Sequence, residues 1–170
     1  MIKKILRWIF DFFEVYLPVV IFLILIFATT IEVIWRYILH HSLPWAFELS
    51  TYSYVWVIFL GAALAKRYQR HIRCDILFKK LPRRAQLISE IFFDSLVNVI
   101  LLIVIVPCIR YAFWCYPIKA SALRIPWTYL LLVYPLFVLL LFIHNSYWIY
   151  SFIRELLGKK VTVHEVPPWE

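Results

Sequence analysis

Four long stretches of this chain contain no formally charged residue, and charged residues gather at their ends. These stretches cover residues 15–31, 49–65, 95–109 and 125–153. The second has 17 residues, which make about 25 Å of helix at a rise of about 1.5 Å per residue. That length nearly crosses a bilayer core of about 30 Å, and long side chains at the ends can reach the interface. The pattern predicts four transmembrane helices, at about residues 14–36, 46–66, 88–114 and 125–154.

The composition supports a membrane protein. Hydrophobic residues make up 64% of the 170 residues and charged residues 16%, against about 45–50% and about 25% in soluble domains. A chain of this kind cannot hide its apolar surface in a water-soluble core, so lipid must be its solvent. Because no repeat, low-complexity tract or soluble segment interrupts the pattern, we predict a single membrane domain over residues 1–170.

The positions of Lys and Arg predict the orientation. Fourteen of the 18 lie before the first stretch, in the central connection or after the last stretch, and the other four are Arg36, Arg110, Lys119 and Arg124. The positive-inside rule then places both termini and the central connection in the cytoplasm. The basic N-terminus precedes an apolar run too long for a cleaved signal peptide, which indicates an uncleaved signal-anchor helix. The predicted fold is therefore an all-α integral membrane protein with four transmembrane helices and both termini inside.

The central connection is unusually apolar for a cytoplasmic loop. Apolar residues recur in it at roughly helical spacing among basic ones, at Ile72, Ile76, Leu77 and Leu81. This pattern predicts a short amphipathic helix lying in the head-group plane between the second and third spans. A solvated basic loop that only obeys the topology rule is the alternative. The net charge of +8 is spread around apolar runs rather than in one patch, so we expect anionic phospholipids and no nucleic acid as partners.

The spans hold few groups that could bind cargo or a cofactor. His144 is the only readily titratable residue deep inside a stretch, whereas a bis-histidine haem site needs two and a transporter usually has ionisable groups near the midplane. The three cysteines form no CxxC, and His40 and His41 have no evident third metal ligand. We predict no catalytic, cofactor-binding or metal-binding residue. A membrane anchor of a redox complex and a stand-alone small multidrug exporter remain alternatives.

Residues 36–75, about a quarter of the chain, resemble a known family. The resemblance rests on Arg36-Tyr37, Pro44-Trp45, Glu48, Trp56, Phe59-Leu60-Gly61-Ala62-Ala63, Lys66-Arg67, His71-Ile72 and Asp75. In this order they are similar to the small membrane subunit, of the DctQ or SiaQ type, of tripartite ATP-independent periplasmic (TRAP) transporters. Phe47 departs from the pattern, because many relatives carry a second acidic residue there.

The resemblance implies a non-catalytic scaffold in the bacterial inner membrane. In this family a large multi-span membrane subunit binds substrate and sodium ions, a periplasmic binding protein delivers the substrate, and the small subunit stabilises the large one. Because no large subunit follows Glu170, we expect that partner to be a separate chain. The substrates it implies are carboxylates such as C4-dicarboxylates or sialic acid, with a lean toward sialic acid, and no cofactor is expected on this chain.

The expected partner or lipid interface combines small, aromatic and charged residues. Gly61 and Ala62 would let another helix approach closely, or would pack inside the four-helix unit. Arg36 could pair with Glu48 or with Glu32. The full set is Trp35, Arg36, Trp45, Glu48, Trp56, Gly61, Ala62, Lys66, Arg67, His71, Asp75, Lys79 and Lys80.

Four polar residues of the third and fourth spans are assigned to packing. Asp94 and Asn98 share one face of the third span, while His144 and Asn145 follow each other in the fourth. Because polar groups are costly in hydrocarbon, we expect each of them to be hydrogen-bonded inside the protein.

Overall fold

The computed structural model describes Trp8 and residues 11–68 and 82–158. In these ranges, a π-helical turn, Phe12–Tyr16, leads into the first of five α-helices. These helices are α1 (Leu17–Ile38), α2 (Pro44–Arg67), α3 (Arg83–Trp114), α4 (Thr128–Leu131) and α5 (Val133–Leu156). The described part of the chain holds no β-strand, and an isolated bridge joins Lys119 to Pro126.

Among the described residues, four helical segments are long and apolar enough to cross a membrane. They are Phe12–Ile38, Pro44–Arg67, Arg83–Trp114 and Thr128–Leu156, the last formed by α4 and α5 together. The predicted all-helical fold with four transmembrane helices is confirmed. The predicted interfacial helix falls in residues 69–81, outside the described ranges. The cytoplasmic position of both termini and the single domain stay predictions.

Local sequence signals place the ends of the first two spans. Pro44 begins α2, where its missing N–H and fixed φ suit the first helical position. The carbonyl of Leu43 accepts hydrogen bonds from the N–H groups of Ala46 and Phe47. At the end of α1, His40 has a φ of 52°, which carries the chain out of the helical path. A connection of only five residues, 39–43, therefore suffices between the two helices.

The chain divides into two compact units. The first contains Met1–Leu64 and Cys108–Phe137, and the second contains Ala65–Pro107 and Val138–Glu170. Many buried side chains of the first unit are small, including those of Ala28, Ala46, Ala63, Ala112 and Ala120. Small residues allow helix backbones to approach closely in a membrane. Larger side chains supply the buried core of the second unit, including Leu87, Leu101, Val138, Leu140, Leu141 and Phe152.

The helices differ in how much of their surface the chain itself covers. Most side chains of α1 and α3 are exposed, whereas α5 contains the largest share of buried residues. Exposed apolar surface on this scale needs an apolar surrounding. For a membrane-spanning protein, that surrounding is lipid or another membrane chain.

Candidate functional site

The connection between α3 and α4, residues 115–127, forms an ordered hairpin. The N–H of Trp127 donates to the carbonyl of Ile118 (2.9 Å), and the N–H of Ala120 donates to the carbonyl of Ile125 (3.0 Å). At the tip, the N–H of Arg124 donates to the carbonyl of Ala120 (3.1 Å), and Arg124 has a φ of 54°. The hairpin is thus held by its own backbone rather than left as an open loop.

Glu48 ties this hairpin to the second turn of α2. Its Oε1 accepts the N–H of Ala122 at 3.0 Å, and its Oε2 accepts the N–H of Leu123 at 2.8 Å. Hydrogen bonds to a charged carboxylate are shorter and stronger than neutral ones. The sequence singled out Glu48 but suggested Arg36 as its partner. The structure instead places Glu48 against the backbone of its own chain, about 75 residues later.

Two further hydrogen bonds fix the ends of the hairpin within the first unit. The indole Nε1–H of Trp56 donates to the carbonyl of Tyr129 at 3.0 Å. The hydroxyl of Thr128 donates to the carbonyl of Ala112 at 2.8 Å and is buried. Glu48 and Trp56 lie eight residues apart and so share one face of α2. This spacing is the sequence signal that could have indicated a common target, whereas the role of Thr128 carries no such signal.

The alternative pairings of Arg36 are decided in favour of Glu32. The Arg36 guanidinium contacts the Glu32 carboxylate one helical turn earlier on α1. Glu32 is buried and the Arg36 side chain is half-exposed. Trp35 and Trp45 are both exposed, and their contact with lipid or a partner stays a prediction.

In the second unit, Lys66 and Asp94 form a largely buried ion pair between α2 and α3. Lys66 Nζ lies 2.7 Å from Asp94 Oδ1, and the two side chains are only 10% and 15% exposed. Asp94 is thus hydrogen-bonded inside the protein, as the sequence analysis expected. Lys66, which we expected at a partner or lipid interface, is turned inward. Its neighbour Arg67 is buried as well.

A second, more exposed ion pair joins α3 to α5 in the same unit. The Arg83 guanidinium donates to both carboxylate oxygens of Glu155, at 2.9 Å and 3.1 Å. This two-bond geometry fixes the orientation of both groups. Sequence reasoning missed the pair because its members lie 72 residues apart.

The expectation of hydrogen-bonded polar residues holds only in part. Asn98 Nδ2 donates to Ser146 Oγ at 3.3 Å, which links α3 to α5. For Asn145 the expectation is wrong among the described residues. Its side chain is 99% buried, yet neither Nδ2 nor Oδ1 has a hydrogen-bond partner there.

Gly61 and Ala62 are half-buried residues on α2 with small side chains. A Cβ built on Gly61 would lie more than 4 Å from every neighbouring segment that the structure describes. The side chains of Thr51, Tyr54 and Ile58 are exposed and continue this face at spacings of three and four residues. We call these five residues the α2 face. Packing among the described residues therefore does not account for the glycine.

His71, Asp75, Lys79 and Lys80 lie outside the described residues. Within the described ranges no three or more His, Cys, Asp or Glu residues are grouped to hold a metal ion. Taken together, the located polar contacts serve to hold helices and the hairpin in position.

Comparison with known proteins points to one family. The family described as "Tripartite ATP-independent periplasmic transporters, DctQ component" matches residues 25–155. The isethionate TRAP transporter permease protein DctMQ of Oleidesulfovibrio alaskensis is 34% identical over 96 residues, which are 53% of this chain and 15% of that protein. A candidate TRAP transporter small permease protein of Haemophilus influenzae is 32% identical over 66 residues, or 39% of this chain and 41% of that protein. The matches thus span less than half the length of either relative.

Proposed function

Because this chain belongs to the DctQ family of TRAP transporter components, we propose that it is the scaffold subunit of a sodium-coupled uptake system. Members of this family are multi-pass inner-membrane transporter components and not enzymes. In the proposed system, a separate large membrane subunit binds substrate and sodium ions, and a periplasmic binding protein delivers the substrate. The present chain stabilises the large subunit while that subunit moves.

The observation that carries the proposal is the use of charged groups inside the spans. Glu32 contacts Arg36, Glu48 binds the backbone of the hairpin, and Lys66 pairs with Asp94. A transporter that binds a polar solute near the midplane needs ionisable or polar groups directed toward it. Here Glu48 and the Lys66–Asp94 pair join separate segments of the protein, and Glu32 is paired within α1, which suits a support and not a carrier.

The α2 face is the proposed contact with the large subunit. Lipid chains fill space around any side-chain shape, so they give no reason for a glycine at a half-exposed position. Contact with a helix of another chain does give a reason for the glycine, because the missing Cβ lets the two backbones approach and gain van der Waals contact. The open space at Gly61 therefore favours the partner-contact alternative over packing inside the four-helix unit.

The cargo is proposed to be an organic anion, in the first place a carboxylate, with sialic acid favoured among them. The Oleidesulfovibrio relative is named for isethionate, a small sulfonate, so the anion class extends beyond carboxylates among similar proteins. Selection among these anions is assigned to the large subunit and the binding protein. Anionic phospholipids are proposed to contact the basic residues of the connection between α2 and α3.

Reconstitution tests the division of labour. Liposomes containing this chain and its large subunit, with the binding protein outside, should accumulate organic anion when a sodium gradient is applied. Liposomes with either membrane subunit alone should not. Sodium-dependent accumulation by this chain alone would contradict the scaffold role, as would full activity of the large subunit without it.

Substitution on the α2 face tests the contact surface. We expect Gly61→Leu to reduce co-purification with the large subunit about tenfold, because an overpacked interface loses about 1–3 kcal/mol. Thr30→Leu on exposed α1 is the matched control and should leave recovery unchanged. Equal recovery of the large subunit with both variants would show that the α2 face is not the contact surface. The result of the reconstitution test would still stand.

A further inference from the structure

The tip of the hairpin directs two consecutive backbone N–H groups at one carboxylate. The amide nitrogen of Ala122 lies 3.0 Å from Glu48 Oε1 and 3.1 Å from Glu48 Oε2, and that of Leu123 lies 2.8 Å from Oε2. Both carboxylate oxygens are therefore bound, and the two N–H groups point to the same side of the chain. Consecutive N–H groups that converge in this way form a concave site for an anion.

The hairpin builds this site with bonds that do not involve Glu48. Its own backbone hydrogen bonds run between residues 118 and 127 and close the turn that carries the tip. Among the described residues, none of these backbone bonds takes its donor from Ala122 or Leu123. The turn thus keeps its own supports if the Glu48 side chain is removed, and its two tip N–H groups are then left to bind another acceptor.

The surroundings of the tip favour an anion that comes from solution. Lys119 and Arg124 belong to the same hairpin and are exposed. The sequence from residue 95 to residue 154 contains no Asp and no Glu that would repel an anion. Ala122 is exposed, Glu48 is only half-buried, and residues 115–127 lie outside the four candidate membrane spans. A small solute can therefore reach the tip N–H groups.

We propose that the Ala122–Leu123 tip is a preformed carboxylate-binding site, in which Glu48 is the resident ligand and which accepts a small free carboxylate when that side chain is absent. A carboxylate suits it because its two oxygens accept several hydrogen bonds at once and carry the charge. In the native chain α2 holds Glu48 beside the tip, so its effective concentration far exceeds that of a dissolved carboxylate. Carboxylates in solution therefore do not displace it. This inference concerns the hairpin and does not depend on the scaffold role.

Chemical rescue of the variant Glu48→Ala tests the site. Alanine is the strongest helix former, so α2 should persist. In the full-length variant in detergent micelles, we expect the amide hydrogens of Ala122 and Leu123 to exchange at least about tenfold faster than in the native protein. Sodium acetate at about 0.5 M and neutral pH should slow this exchange about sixfold, as a site with a dissociation constant of about 0.1 M would give. Exchange that acetate leaves unchanged at both amides would overturn the proposal.

Controls separate carboxylate binding from effects of the medium. Acetamide has the shape of acetate without its charge, and sodium chloride reproduces the ionic strength. Each should slow exchange in Glu48→Ala by less than about twofold. The native protein should not respond to acetate, because Glu48 fills the site. Slowing by acetamide or chloride as strong as that by acetate would also overturn the proposal.

A matched variant removes a carboxylate that binds elsewhere. Glu155 accepts hydrogen bonds from the Arg83 guanidinium and not from backbone N–H groups of the hairpin. Glu155→Ala should therefore leave exchange at Ala122 and Leu123 as slow as in the native protein, with or without acetate. Faster exchange at the tip in this variant would show that loss of any carboxylate loosens the hairpin, which contradicts a site specific for Glu48.

A second measurement applies if Glu48→Ala does not fold without an added ligand. The yield of folded protein on refolding is then compared in acetate, acetamide and chloride, and we expect a yield several-fold higher in acetate alone. Equal yields in the three salts or solutes would contradict the site. Direct contact is checked with carbon-13-labelled acetate, whose methyl protons should show nuclear Overhauser effects to the amide protons of Ala122 and Leu123 in the variant and not in the native protein.

Discussion

The carboxylate of Glu48 accepts the backbone N–H of Leu123 at 2.8 Å, across 75 positions of sequence. This contact and its companion at Ala122 join α2 to a hairpin that lies between two other spans. A charged side chain near the start of a candidate membrane span is thereby used to position backbone rather than to bind solute.

Replacement of Glu48 by Gln should loosen the hairpin. Glutamine keeps one acceptor oxygen and loses the charge, so the bonds to Ala122 and Leu123 weaken. We expect the amide hydrogens of these two residues to exchange faster, by about tenfold, in hydrogen-exchange mass spectrometry. Ser50→Ala on the same helix is the control, because its hydroxyl donates only to the carbonyl of Phe47. Unchanged exchange at both amides in Glu48→Gln would contradict the contact.

The Lys66–Asp94 pair should show strong coupling. Lys66→Met or Asp94→Asn alone leaves one largely buried charge without its partner, which we expect to lower the free energy of unfolding by about 3 kcal/mol. The double variant should recover much of that loss, because neither charge remains. The free energies of unfolding of the two single variants and the double variant are measured in mixed micelles. The exposed pair provides the comparison, and Arg83→Gln should cost about 1 kcal/mol or less. If the double variant loses the sum of the two single losses in free energy of unfolding, the Lys66–Asp94 interaction is contradicted.

Replacement of Trp56 should lower the free energy of unfolding more than replacement of Trp45, although both tryptophans belong to α2. Trp56→Phe removes the donor to the carbonyl of Tyr129, and we expect a loss of about 1 kcal/mol in the free energy of unfolding. Trp45 is exposed, and Trp45→Phe should change it by less than about 0.5 kcal/mol. The comparison needs only thermal or denaturant unfolding of the purified protein. A larger loss in the free energy of unfolding for Trp45→Phe than for Trp56→Phe would contradict the hydrogen bond assigned to Trp56.

Arg36 should couple to Glu32 and not to Glu48. Because the Arg36 side chain is half-exposed and screened by solvent, we expect a coupling of only about 0.5–1 kcal/mol with Glu32 in a double-mutant cycle. The Arg36→Gln and Glu48→Gln effects on unfolding should simply add. A cycle in which Arg36 couples to Glu48 instead would show that the other pairing forms in the membrane.

Sequence reasoning identified the membrane spans and several residues that matter, but not their contacts. Glu48, Trp56 and Lys66 were recognised from their place in the motif, yet each was expected at a partner or lipid interface. The structure places all three against their own chain. Asn145 was expected to be hydrogen-bonded and is buried without a partner among the described residues. These differences arise because a residue's identity does not specify which distant segment comes beside it.

The four spans and the family could be predicted from the order of residues alone. Whether a segment of about 20 residues prefers lipid to water is a sum over its own side chains, so it can be evaluated without knowing any neighbour. Only the packed helices show which charges are paired, that Glu48 holds the hairpin, and that no described segment packs against the Gly61 position. Those outcomes depend on distances between atoms far apart along the chain, and such distances exist only once the helices have packed.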